Sequence, residues 1–223
     1  MKRQLRSIGS IILAVLISSS PGCKDGSSTP TDSGNTDTTH SHPIVRKPNV
    51  YLYPQFKTTV SVKLEFPLGG TVIESTPSYA GEWRVEVEPN GRIDDKYDYL
   101  FYESQTPDAY QYVSGWVVNK DSLLGFFQSN LSEMGFNRRE INDFTEYWIP
   151  KLTESRYYII YPQFANDIDK MIRLKVAPSP DNLLRLFYVI TGSERTRAAL
   201  STPKISKFQR QGFVVAEWGV VLK

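Results

Sequence analysis

The chain has 223 residues, with 26 Lys or Arg against 24 Asp or Glu, and one cysteine. So balanced a chain lacks the basic footprint that phosphate backbones require, which excludes nucleic acid as a partner. One cysteine forms no internal disulfide, so a hydrophobic core has to hold the fold.

The first segment carries Lys2, Arg3 and Arg6, then an apolar run from Ile11 to Ile17, then Ser18, Ser19, Ser20, Pro21 and Gly22 before Cys23. A basic stretch, a short apolar stretch and small residues before a cut site make a signal peptide. The cysteine straight after them makes it resemble a bacterial lipoprotein signal over 1–22, with Cys23 as the lipidated first residue of an exported, membrane-anchored chain. Ser20 stands where such signals usually carry Leu, and the alternative is an ordinary secretory signal followed by a free thiol. Cleavage before Cys23 removes three basic residues and leaves 23 against 24, a net charge of −1. No second apolar run reaches membrane-spanning length, so the lipid is the expected membrane contact.

Residues 23–45 read as a flexible tether. From Lys24 to Ser41 there is no large apolar residue, so ordering the segment would bury too little to offset its entropy. His40 and His42 have a spacing compatible with a weak metal site, although two linker histidines are the plainer reading.

Residues 46–223 should form one α+β domain, mostly antiparallel β and sandwich-like, with a helical hairpin packed on the sheet. Val50–Tyr53 opens it, and Pro54 marks that segment as an edge strand or a strand end. In Thr58–Phe66, Val60, Val62, Leu64 and Phe66 alternate with polar residues, the pattern of a half-buried strand. Pro67 and the Gly69–Gly70 pair make a turn. Strands follow at Thr71–Glu74 and Glu82–Glu88, the second with Trp83, Val85 and Val87 on one face, and Asn90–Gly91 signals a tight turn. Tyr97–Glu103 and Val113–Val118 are aromatic strands. The period then changes: Leu123, Phe127, Leu131 and Met134 share one helical face, with Asn119 or Asp121 to start the helix and Gly135 to end it. Asn137 with Glu140 forms a capping-box pattern for a second helix, in which Ile141, Phe144 and Trp148 are the buried stripe and Pro150 is the stop. Four more strands are expected at Arg156–Tyr161, Met171–Val176, Leu183–Thr191 and Phe213–Trp218. Ser193–Gln211 is a polar, basic loop with room for a short helix near Arg195–Leu200.

KPNVYLYP (Lys47 to Pro54) followed by TTVSVKLEF resembles the opening of an uncharacterised family of bacterial proteins, including lipoproteins, whose members begin with KPVIYLYP-like text. YDYLFYES (Tyr97 to Ser104), INDFTEYWIPKL (Ile141 to Leu152) and QGFVVAEWG (Gln211 to Gly219) resemble its other blocks. The resemblance spans Lys47 to Gly219 and implies a single domain. It supplies no catalytic residues, and Val220 stands where a second Gly is expected.

Residues 46–223 contain no histidine or cysteine. That excludes Ser–His–Asp and Cys–His catalysis there, together with His or thiolate zinc sites. Neither G-x-x-x-x-G-K-[ST] nor G-x-G-x-x-G occurs, and no cofactor is expected. Three carboxylates stand among apolar residues: Glu103, Glu146 and Glu217. A buried carboxylate is costly unless paired, and two flanked by aromatics are what a glycosidase uses. The competing reading pairs Glu217 and Glu103 with Arg185 or Arg173 as structural groups; Arg185 stands out because it interrupts LLRLFYVI. Glu146 shares a face with Arg139, Asn142 and Asp143 and reads as solvated. Tyr51, Tyr53, Tyr99, Tyr102, Tyr110, Tyr112 and Trp116 suit either a core or a sugar-stacking surface. Asp94, Asp95 and Asp98, and Asn166, Asp167 and Asp169, are oxygen clusters that read as polar turns rather than calcium loops. The expectation is a lipid-anchored envelope protein, a binding module for an envelope protein or a glycan and not an enzyme. The alternative is a carboxylate hydrolase using Glu103 and Glu217, with Arg185 beside them.

Overall fold

The computed structural model describes residues 42–196 and 200–223. Cys23 and His40 lie outside them, as does most of the short helix expected near Arg195–Leu200. The fold is α+β, and its strands fall into two sheets. The larger contains β1 (Ile44–Tyr53), β3 (Thr71–Thr76), β5 (Leu100–Gln105), β6 (Trp116–Asn119), β7 (Tyr157–Phe164), β9 (Asn182–Ser193) and β10 (Val214–Leu222), in the order β3-β5-β1-β10-β9-β7-β6. The smaller contains β2 (Thr58–Glu65), β4 (Trp83–Val87) and β8 (Arg173–Ala177), in the order β4-β2-β8. Every strand pair is antiparallel except β9–β10, which is parallel and in register from Asn182↔Val214 to Ile190↔Leu222.

Alternation places the core. One face of the large sheet, with Val50, Leu52, Leu100, Phe187, Val189 and Val215, packs against Val60, Val62, Trp83, Val85 and Val87 of the small sheet. The other face, with Tyr51, Leu186, Tyr188, Trp218 and Val220, packs against α1 (Leu123–Met134) and α2 (Arg138–Trp148). The helical hairpin, the large sheet and the small sheet are therefore three successive layers. Strands of the middle layer are apolar on both faces, which is why β9 and β10 read as near-continuous hydrophobic runs.

The start of α2 and the end of α1 follow from their residues. Asn137 accepts from the Glu140 N–H at 3.0 Å, while Glu140 Oε2 accepts from the Asn137 N–H at 2.8 Å, a complete capping box. Gly135 closes α1 at φ 102°, a left-handed conformation suited to glycine. Asn119 caps a single 3₁₀ turn (Lys120–Ser122) ahead of α1 rather than α1 itself.

Of the two readings of Val50–Tyr53, the strand end holds and the edge does not: β1 lies between β5 and β10, and Pro54 stops it. Three expectations are corrected. β1 begins at Ile44, and Val45 is fully buried, so Ile44 and Val45 are strand rather than the end of the tether. The Asn166, Asp167 and Asp169 cluster is not a turn but lies in a short helix, α3 (Ala165–Met171), anchored by Ile168 and Met171. Lastly, Arg173 is not the partner of Glu103; its cross-strand neighbour is Glu65.

Candidate functional site

Glu217 lies in the middle of β10 with no exposed surface, directly beside Arg185 in the parallel pair. Arg185 Nε donates to Glu217 Oε2 at 2.6 Å, and the Tyr102 hydroxyl donates to Glu217 Oε1 at 2.7 Å. Arg185 Nη1 donates to the Ile172 carbonyl at 2.7 Å and to Asp169 of α3. Burial first, and the Glu217 carboxylate second, push the Tyr102 phenol well above its ordinary value, so it stays a donor. Among the described residues, the buried Arg185 Nη2 finds no hydrogen-bond partner. The unit is an interior charge network joining β5, β9, β10 and α3, and it faces the small sheet.

Glu103 faces the other way. It alternates with Tyr102 along β5, so its side chain lies on the helix side of the large sheet, half-buried, with Arg46 at 3.7 Å. Glu103 and Glu217 therefore stand on opposite faces of one sheet and share no cleft. Glu146 is exposed on α2. Of the aromatic residues singled out, Tyr51, Tyr102 and Tyr110 are core, Tyr53, Tyr99 and Trp116 are half-buried, and Tyr112 is exposed. Asp98 is held by Arg92 at 2.9 Å and Arg139 at 2.5 Å, and the Asp94 carboxylate accepts from the Glu86 N–H at 2.8 Å. Among the described residues no group of three His, Cys, Asp or Glu is placed to hold a metal ion.

The helix-side face of the large sheet is not fully covered. Between α2 and the β3 edge lies an open groove of about 470 Å³. Its floor is Glu74 and Thr76 of β3, Phe101 of β5 and Lys47 of β1; Tyr147 of α2 forms one wall, and Lys96, Tyr97, Asp98 and Tyr99 form the other.

Lys47 reaches the floor through a β-bulge. From Val45 to Asn49 β1 advances four residues while β5 advances three, from Ser104 to Phe101. From Arg46 to Asn49 it advances three while β10 advances two, from Val220 to Trp218. The extra residue lets Val45 and Val50, an odd number apart, face the same core. It also puts Lys47 at φ 53°, a left-handed conformation that costs a non-glycine residue about 1–3 kcal/mol. The re-aimed Nζ lies 4.4 Å from the Phe101 ring centre, 4.8 Å from Tyr99 and 5.4 Å from Tyr147, and it donates to the Tyr99 hydroxyl at 3.3 Å. Three rings thus cradle one ammonium. Among the described residues no carboxylate lies within ion-pair distance of it. Burial, then the charge of Glu103, raises the Tyr147 phenol above its ordinary value.

Sequence reasoning missed this site because Lys47 precedes Pro48 at the start of a strand, where a lysine reads as a solvated linker residue. The remaining signal was the aromatic density of YDYLFYE. Comparison with protein-family models, with curated proteins and with solved structures finds no match to the chain.

Proposed function

We propose that the protein is an exported, lipid-anchored cell-envelope protein whose α+β domain is a non-enzymatic binding module for an envelope protein or a glycan. The anchor rests on the signal-like residues 1–22 and on Cys23. Among the described residues no helix is long and apolar enough to cross a membrane, which accords with attachment through a lipid. The observation that supports binding over hydrolysis is the separation of the two candidate carboxylates. A glycosidase needs both within roughly 5–10 Å of one bond. Here Glu217 is closed in by Arg185 and Tyr102, while Glu103 lies across the sheet. The open groove around Lys47 offers a binding surface instead.

The test has two arms. Cells producing the chain and Cys23→Ser are fractionated: the native chain should stay with the membrane and gain the mass of a diacylglyceryl group, while the variant should leave the membrane fraction. The purified full chain is then incubated with isolated envelope material. Retention without turnover is the expected result. Release of sugar products that disappears in Glu217→Gln or Glu103→Gln would overturn the reading.

A further inference from the structure

The geometry points to an acidic saccharide as the ligand of the Lys47 groove, with the sugar's carboxylate on the Lys47 ammonium; this inference rests on the binding-module reading above and names its ligand. An ammonium has three N–H donors, and Lys47 spends one on the Tyr99 hydroxyl. The others have no oxygen partner among the described residues, and the three rings fix the group at the groove floor. Holding a lysine at φ 53° in a bulge is a local strain, of the kind proteins keep where a side chain must be aimed.

The surrounding charges select the ligand's sign and magnitude. Asp98 on the wall is already neutralised by Arg92 and Arg139, and Lys96 adds a second cation. Glu74 on the floor and Glu103 beside it limit how much negative charge the site tolerates. A monoanionic carboxylate matches this balance. A phosphate dianion would meet two lysines and no lining arginine, with Glu74 close by, and such groups favour the forked donors of arginine. The rest of the groove is hydroxyl-matching: Thr76, Lys96, Glu74 and the Tyr97 and Tyr147 hydroxyls, which no described residue engages in a hydrogen bond. Its volume of about 470 Å³ suits one or two sugar rings rather than a folded domain.

The experiment is calorimetric titration of the full chain in detergent with di- and tetragalacturonic acid, with the methyl esters of the same sugars, and with inorganic phosphate. The variants are Lys47→Gly and Lys47→Met. Glycine is at ease at positive φ, so Lys47→Gly should keep the native melting temperature or raise it while losing at least tenfold in affinity. Lys47→Met keeps the apolar stem and should lose affinity to the same degree. The expected result is uronide binding at least tenfold tighter than the methyl ester, lost in both variants. Equal binding of acid and ester, undiminished binding by a folded Lys47→Gly, tighter binding of phosphate, or binding of no probe would each overturn the assignment. Retention of the chain and of Lys47→Gly on whole envelope material, with no uronide binding, would remove this inference and leave the binding-module reading standing. No retention and no uronide binding would remove both.

Discussion

Arg185 Nε donates to Glu217 Oε2 at 2.6 Å across two adjacent parallel strands, and neither side chain is exposed to solvent. Two charges taken out of water in this way cost several kcal/mol each, and the attraction offsets that only when the remaining lone pairs and protons are also met. Tyr102, Asp169 and the Ile172 carbonyl meet most of them. Removing one partner strands the other. Arg185→Met should destabilise the fold by about 3–5 kcal/mol in urea unfolding, whereas Arg185→Met combined with Glu217→Leu should recover a large part of that loss. A double variant no more stable than Arg185→Met alone would show that the pair does not act as a unit.

Much of this network was legible in the sequence. An arginine inside LLRLFYVI and a glutamate inside FVVAEWG each break an apolar run, and the least costly reading of two such breaks is that they meet. The α1–α2 hairpin was legible for a similar reason: Leu123, Phe127 and Leu131, then Phe144 and Trp148, repeat at helical spacing on either side of the Gly135 stop and the Asn137 cap. Other features had no local signal. Pro54 leaves β1 readable as an edge or as a strand end, and locally the two look alike; Pro54 lies beyond the last strand residue, Tyr53, and costs the sheet nothing. ANDIDKM is too short and polar to announce a helix, and its contacts to β7, β8 and β9 hold it. The Lys47 groove is assembled from four separate segments, and no window of sequence contains it.

Glu140 is a second buried carboxylate that sequence reasoning assigned only to a cap. It completes the capping box and also accepts from Arg210, Nη2 to Oε1 at 2.9 Å and Nη1 to Oε2 at 3.1 Å, while Arg210 Nη1 also donates to the Gly135 carbonyl at 3.2 Å. The guanidinium lies 5.1 Å from the Tyr53 ring centre. Arg210→Ala should therefore cost about 1.5–3 kcal/mol, and it should free the loop that Arg210 ties to α2. Limited trypsin digestion should show faster cleavage after Lys204 and Lys207; unchanged cleavage would show that the loop is held by other contacts.

Asn137→Ala tests the cap by itself. The side chain accepts the Glu140 N–H and donates to the Tyr53 hydroxyl at 3.2 Å. The expected loss is about 1 kcal/mol, a melting shift of about 2–4 °C for a domain of this size. Asn137→Ser, which can still cap, should fall between the two.

Buried phenols set an alkaline limit on stability. Burial and Asp143 raise Tyr51, burial and Glu217 raise Tyr102, and burial raises Tyr188, each well above the ordinary value of 10.0. A group whose folded pKa is raised contributes stability that is complete below its unfolded pKa and is lost as pH climbs toward the folded one. The fold should thus hold up to about pH 10 and weaken steadily above it. Absorbance at 295 nm followed with pH should show these phenols ionising together with unfolding, in step with the loss of far-ultraviolet circular dichroism. Smooth titration of every tyrosine in a still-folded protein would contradict this.

Phe144 packs against Phe127 at 4.9 Å, Trp218 at 5.1 Å and Tyr188 at 5.7 Å between ring centres, joining α2 to α1, β9 and β10. Phe144→Ala should cost about 3–5 kcal/mol, while Phe144→Leu should cost much less. Denaturant midpoints of the two variants would separate a packing role from a specific need for the ring.

β10 comes after every other described strand in the chain, yet it fills the gap between β1 and β9 at the heart of the large sheet. Until Leu222 has left the ribosome, the two halves of that sheet have no common neighbour, and both the Glu217 network and the Trp218 contacts are missing. A chain being made from its N-terminus therefore cannot close this domain early. Its architecture thus turns the order of manufacture into a timer for folding, set by the arrival of β10.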